Sequence, residues 1–159
     1  MKLYFLRHAD ALPGEDDVAR PLSPLGRKQS RKVGRFLKGA GVDFDAAWSS
    51  PLDRAVQTAE IVMDLCGSAR LSITEALVNE VSPSRFDRWL RGIPPGMNVL
   101  LVGHAPSLAE RVRAILGAEN AAAISLPKAG LACVATENRR TGVLKLLITP
   151  KALGIRPTV

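Results

Sequence analysis

Leu3-Tyr4-Phe5-Leu6-Arg7-His8 sets four consecutive apolar residues before a cation and an imidazole, and Val99-Leu100-Leu101-Val102-Gly103-His104 repeats the form. Neither run alternates apolar with polar residues, as expected of central parallel strands covered on both faces. Outward from these two, apolar runs alternate with amphipathic segments along the chain. That pattern predicts an α/β fold, a three-layer α/β/α sandwich around a mostly parallel central sheet. Strands are expected at Lys2–Arg7, Ala46–Ser49, Asn98–Gly103, 130–136 and 143–149, with a short one at 71–74.

Helix starts are marked by Ser23-Pro24, Ser50-Pro51 and Ser82-Pro83, each a capping hydroxyl followed by proline at the first helical position. Ser50-Pro51-Leu52-Asp53 also fits a capping box. Helices are expected over Pro24–Gly39, 51–66, Pro83–Arg91 and 106–116, with Gly67, Gly92 and Gly117 placed where a left-handed residue commonly ends a helix. Repeats, low-complexity tracts and linkers are absent, so one domain is expected over 1–159.

Composition narrows the function classes. Hydrophobic residues make up 47% and charged residues 23%, ordinary values for a globular chain. No apolar run approaches the roughly 18 residues of a membrane span, and Met1 to Arg7 lack the marks of a secretory signal. A cytoplasmic location is the expectation. Cys66 and Cys133 belong to no CxxC or Cys/His pair, so neither structural zinc nor a disulfide framework is expected. The net charge of +7 is local: seven basic residues and no acidic one lie between Val18 and Val42. Of these, Arg27, Arg31, Arg35 and Lys38 fall on one helical face opposite Val33, Phe36 and Leu37. That face is either a solvated surface or one that docks a partner or draws in an anion. Aromatics are only 4% and no recognition motif is visible, so nucleic acid is not an expected partner.

The chain has two histidines, and both follow an apolar run. In an open parallel sheet, ligands bind beyond the carboxyl ends of the strands. A lone histidine is more often structural than functional, but His8 and His104 at two strand ends point into one crevice. Arg7 adjoins His8, and Arg54 lies in the first turn of the helix after strand Ala46–Ser49, at the same edge. Arginine forks match the oxygens of a tetrahedral dianion, and the helix amino termini near Pro51 and Pro106 would add backbone donors.

These residues resemble a known family. Leu6-Arg7-His8-Ala9-Asp10 resembles the Arg-His-Gly signature of the histidine phosphatase (phosphoglycerate mutase-like) superfamily. The run from Ser49-Ser50-Pro51-Leu52-Asp53-Arg54 to Ala59 looks like its second motif, and Val102-Gly103-His104-Ala105-Pro106 like its third. The chain is similar in particular to the small SixA-type phosphohistidine phosphatases, including Arg20-Pro21-Leu22-Ser23, Leu37-Lys38-Gly39 and Thr149-Pro150-Lys151.

The resemblance implies a phosphoglycerate mutase-like fold and a covalent mechanism with no cofactor or metal. His8 would attack phosphorus while Arg7, Arg54 and His104 hold the phosphoryl oxygens, His104 as a cation. A hydrogen bond from the other ring nitrogen to a backbone carbonyl would fix the tautomer of His8. Glu80 matches the family's general acid, with Asp10 and Glu75 as further options. Arg20 is read either as a substrate-side residue or as an ion-pair partner of Asp16 or Asp17. Ala9 stands where the family has glycine, and a positive φ there would cost roughly 1–2 kcal/mol.

The expected substrate is a phosphohistidine-bearing protein or a small phosphoester, and the expected state is a monomer. A mutase is disfavoured, because few residues remain to build a lid against water. A phosphate-binding docking module with little turnover is the reading from another class. No GxSxG elbow and no HExxH are present, which argues against serine and metal hydrolases.

Overall fold

The computed structural model describes residues 1–118 and 124–156; the last positions of the domain expected over 1–159 lie outside the described residues. In chain order its elements are β1 (Lys2–Arg7), α1 (Pro24–Gly39), β2 (Ala46–Ser49), α2 (Asp53–Cys66), β3 (Leu71–Ile73), a 3-10 turn (Glu75–Leu77), α3 (Pro83–Arg91), β4 (Asn98–Gly103), α4 (Ser107–Leu116), β5 (Leu131–Ala135) and β6 (Val143–Ile148). The strands form one sheet in the order β3-β2-β4-β1-β5-β6. The first four run parallel to one another, while β5 pairs antiparallel with both β1 and β6.

The two opening stretches pair directly, with Leu3 opposite Val99 and Arg7 opposite Gly103. Successive strand residues point to opposite faces, and each face carries its own core. Tyr4, Leu6, Leu100 and Val102 pack with Val33 and Leu37 of α1 and Ala59 and Val62 of α2. Leu3, Phe5, Val99 and Leu101 pack with Phe86 and Leu90 of α3 and Leu108 and Val112 of α4. The expected three-layer sandwich follows from burying both faces of these non-alternating strands. The basic face of α1 also lies as expected: Arg27, Arg31, Arg35 and Lys38 are exposed opposite buried Val33 and Leu37. No helix is long and apolar enough to cross a membrane among the described residues.

Helix starts are partly corrected. Ser23 and Ser82 cap α1 and α3 through their hydroxyls, each with proline in the first turn. Ser50 does not cap α2: that helix begins at Asp53, its cap residue is Leu52, and no side chain caps it. The capping box is absent because the Ser50 hydroxyl is bonded elsewhere, to His104. Helix α4 starts at Ser107 rather than Pro106. Of the three expected left-handed glycines only Gly117 has that conformation; Gly67 is extended and Gly92 is right-handed.

Candidate active site

Parallel β1, β2 and β4 end side by side, and the residues that follow them meet at one edge. His8 follows β1, Ser50 follows β2 and His104 follows β4. The amide of His8 donates to the Gly103 carbonyl at 2.9 Å, and the amide of Ser50 to the Val102 carbonyl at 3.0 Å. The two imidazoles are buried with ring centroids 5.0 Å apart. A Cβ on Gly103 would stand 2.8 Å from the Leu77 carbonyl oxygen, so the approach of β4 to the 3-10 turn requires glycine there.

His8 is held in one tautomer. Its Nδ1 lies 2.7 Å from the Ala9 carbonyl oxygen and must donate to it. Nε2 therefore keeps its lone pair, and it accepts a long contact from Arg54 Nε at 3.4 Å. Burial pushes the His8 pKa down to about 4, against the Ala9 hydrogen bond and with help from the Arg54, Arg7 and Lys128 charges. Burial likewise lowers His104 to about 3, with His8 and Arg54 contributing. Both rings are therefore neutral at pH 7 with no anion in the cleft; the cationic His104 expected from the resemblance is the form opposite a bound phosphate. His104 Nε2 is hydrogen-bonded to Ser50 Oγ at 2.6 Å.

The arginines converge on the same point from different elements. Arg54, in the first turn of α2, is 7% exposed and donates to the Asp17 carbonyl at 2.7 Å and the Asp17 carboxylate at 3.3 Å. Arg7, the last residue of β1, donates to the Leu126 carbonyl at 3.1 Å while its buried Nε has no partner. Burial lowers the pKa of Arg7, a group that stays charged all the same. Arg20 pairs with Asp17 at 3.1 Å, the ion pair weighed for it, and also donates to the Leu12 carbonyl while lining the pocket.

The resulting cleft has a volume of about 330 Å³, and four cations (Arg7, Arg20, Arg54, Lys128) and two carboxylates (Asp17, Glu80) line it beside the histidines. Glu80 is exposed on its rim. Glu75 starts the 3-10 turn and does not line the cleft. Asp10 is committed elsewhere: it accepts from Ser23 Oγ at 2.6 Å and from Lys128 Nζ at 2.8 Å. Burial pushes its carboxyl up, but those two bonds outweigh burial and hold it below the usual range. Ala9 does not have a positive φ and is fully buried in the core, so alanine in place of glycine carries no backbone strain. The helix N-termini offer fewer free donors than expected. The Asp53 amide donates to the Val18 carbonyl, and the Ser107 amide to Asn79 Oδ1.

Two polar lining residues, Asn79 and Lys128, were not singled out from the sequence, and Asp17 entered there only as a possible partner of Arg20. Lys128 carried a usable signal, since it precedes a strand that proves antiparallel, and the start of such a strand lies at the carboxyl edge of its parallel neighbours. The contact of Asp17 with Arg54 carried none, because Asp17 sits in an irregular segment whose path the sequence pattern does not fix.

A family model described as "Histidine phosphatase superfamily (branch 1)" matches residues 3–87, from β1 through α2 to α3. This chain belongs to the histidine phosphatase superfamily. An uncharacterised protein of Picosynechococcus is 34% identical over 136 residues, 82% of each chain. The phosphohistidine phosphatase SixA of Escherichia coli K12 is 40% identical over 65 residues, 40% of each chain. The solved structure of the protein histidine phosphatase SixA complexed with tungstate superposes with a TM-score of 0.85 at 25% identity, covering 96% of this chain and 99% of that one. The sheet flanked by helices is thus the phosphoglycerate mutase-like fold of that structure. As a member of this superfamily the chain is a hydrolase acting on phosphoesters or phosphoramidates.

Proposed function

We propose that this histidine phosphatase hydrolyses phosphohistidine in a partner protein, through a covalent intermediate on His8 Nε2. The observation that carries the mechanism is the tautomer of His8. A nucleophilic imidazole needs a free lone pair on the attacking nitrogen, and the Nδ1–H bond to the Ala9 carbonyl leaves it on Nε2, facing Arg54. A depressed pKa keeps that lone pair unprotonated at neutral pH.

In the first step the Nε2 lone pair forms a bond to phosphorus as the bond to the leaving nitrogen breaks. The leaving imidazole departs with the proton it already carries on its ring. Positive charge grows on the His8 ring, and the Ala9 carbonyl stabilises it through Nδ1–H. Arg7 and Arg54 hold the equatorial oxygens in flight. His104 gains a proton more readily once a dianion lies opposite it, and then donates to a third oxygen. In the second step water attacks phosphorus, the P–N bond to His8 breaks, and inorganic phosphate leaves. No metal or cofactor takes part in either step.

The substrate class rests on the weak provision of an acid. Asp10 is held ionised by Lys128 and Ser23. Asp17 is held below the ordinary carboxylate range by its hydrogen bond from Arg20 and by Arg54. Glu80 alone remains, exposed on the rim. An alkoxide leaving group needs a proton donor, whereas the nitrogen of a phosphoramidate needs less. The similarity to SixA proteins points the same way. Glu80 on the pocket wall favours one second reading, a phosphatase of small phosphomonoesters with Glu80 as the acid.

Rapid alkaline quench after mixing with a labelled phosphohistidine carrier domain tests the proposal. Label is expected on the wild-type chain and absent from His8→Ala. Label surviving on His8→Ala would sink the nucleophile. Turnover of a small alkyl phosphate with none of the carrier domain would favour the second reading.

A further inference from the structure

A second arginine-lined cavity, of about 280 Å³, lies between α3, α4 and the turn joining β5 to β6. It shares no lining residue with the catalytic cleft. The turn sits at the other end of the sheet, since Ala135 pairs with Lys2 at the start of β1. Arg91, Arg111, Arg139 and Arg140 line it, and Asp87 is the one carboxylate among its lining residues.

Arg111 is 6% exposed. One of its N–H groups donates to the Val81 carbonyl at 2.8 Å, and its guanidinium carbon stands 5.3 Å from the centre of the Phe86 ring. Its Nε is buried with no partner. Arg139 repeats the pattern: a terminal nitrogen donates to the Ile93 carbonyl, and its buried Nε has no partner. Among the described residues, none of the four arginines lies within ion-pair distance of a carboxylate.

Burying a cation without a paired anion is costly, and a buried polar group left without a partner calls for a reason. Several arginines lining one space suit the oxygens of phosphate or carboxylate groups, which a guanidinium fork can grip in a fixed geometry. The volume is several times the roughly 30 Å³ share of a water and lies just below the roughly 300 Å³ at which drug-sized pockets begin. It suits a small anion rather than a peptide. We propose that the cavity bounded by Arg91, Arg111, Arg139 and Arg140 is a second anion site, which binds a small multiply charged oxyanion apart from the catalytic cleft. Through Arg111 such an anion would bear on the Val81 carbonyl, one residue beyond Glu80 on the rim of the cleft.

Backbone amide NMR on the full chain, titrated with inorganic phosphate and separately with citrate at constant ionic strength, tests it. The Arg54→Ala background weakens phosphate binding in the catalytic cleft. Saturable shifts at Asn138, Arg139 and Arg140 are expected to persist there. The double variant Arg91→Glu with Arg140→Glu, both residues exposed, is expected to lose at least tenfold in affinity while keeping wild-type turnover. Asp87→Asn is expected to bind severalfold more tightly, since it removes the one acid on the wall. Preference for phosphate over citrate assigns a phosphoryl ligand, and the reverse assigns a carboxylate. A response that chloride reproduces, or one abolished by Arg54→Ala and indifferent to the double variant, overturns the site. Because turnover is read separately, that failure leaves the role of His8 standing.

Discussion

Ser50 and His104 are joined by a 2.6 Å hydrogen bond that links the carboxyl end of β2 to that of β4. The bond ties Ser50 Oγ to Nε2 of the imidazole, so it sets the orientation of the ring rather than the start of α2. Ser50→Ala is expected to leave the fold intact and to lower kcat roughly tenfold, on the scale of one hydrogen bond of about 1–1.5 kcal/mol. Steady-state kinetics with the pH profile would check it. A positioning role predicts a shifted pH dependence, which mere loss of stability would not produce.

Titration of the histidines should be visibly displaced. NMR of the ring protons, assigned with His8→Ala and His104→Ala, is expected to show midpoints near 4 and 3 in place of the ordinary 6.5. Between about pH 6.5 and 4 the unfolded chain binds protons that the folded chain does not, so stability falls as pH drops through that window. The His8 shift alone corresponds to a loss on the order of 3 kcal/mol by pH 4, readable by urea unfolding at several pH values. Phosphate or vanadate should raise the His104 midpoint.

Glu80→Gln separates the two substrate readings. If phosphohistidine is the substrate, hydrolysis of the carrier domain changes by no more than about threefold. An alkyl phosphate, which needs a proton donor, should lose on the order of a hundredfold. Equal losses on both substrates would contradict the assignment by leaving group.

The basic face of α1 should matter for a protein substrate only. Its first turn lies beside the catalytic edge, since Ser23 bonds Asp10, and Arg27 and Arg31 are exposed from there along the helix. Arg27→Glu with Arg31→Glu is expected to lower kcat/KM for an acidic phosphoprotein by roughly tenfold or more at low salt, with the difference fading as salt is added. For p-nitrophenyl phosphate the values should stay close to wild type. Equal effects on both would assign the face to a field around the cleft rather than to docking.

Gly26 is a structural requirement of the site. A Cβ there would collide with the Asp10 carbonyl oxygen, which is backbone and has no freedom to move aside. Gly26→Ala is expected to cost about 1–3 kcal/mol, the scale of overpacking, and to weaken the Ser23–Asp10 contact. Thermal unfolding and activity, measured together, would show both.

Most of the architecture was legible because it depends on local patterns. Non-alternating runs marked β1 and β4, proline after a capping serine marked α1 and α3, and three motifs in order marked the family. What misled was local too. Ser50-Pro51 has the form of a helix cap, but a hydroxyl bonds whichever partner the fold brings to it, and β4 brings His104. Whether Ala9 is strained turned on its φ, which no local pattern gives: its backbone lies outside the left-handed region and its methyl is buried in the core.

By itself the sequence determined that His8, Arg7, Arg54 and His104 belong to one crevice, because unbroken apolar runs, a helix start and motif order place all four at the carboxyl edge of a parallel sheet. Only the tertiary structure decided the chemical state of that crevice. The tautomer of His8 depends on the Ala9 carbonyl, and the depressed pKa values depend chiefly on burial. The lowered pKa of Asp10 depends on Lys128, 118 positions away. The second arginine cavity is likewise assembled from α3, α4 and a distant turn. Such properties arise from distances between residues far apart in the chain, and those distances exist only once both faces of the sheet are packed.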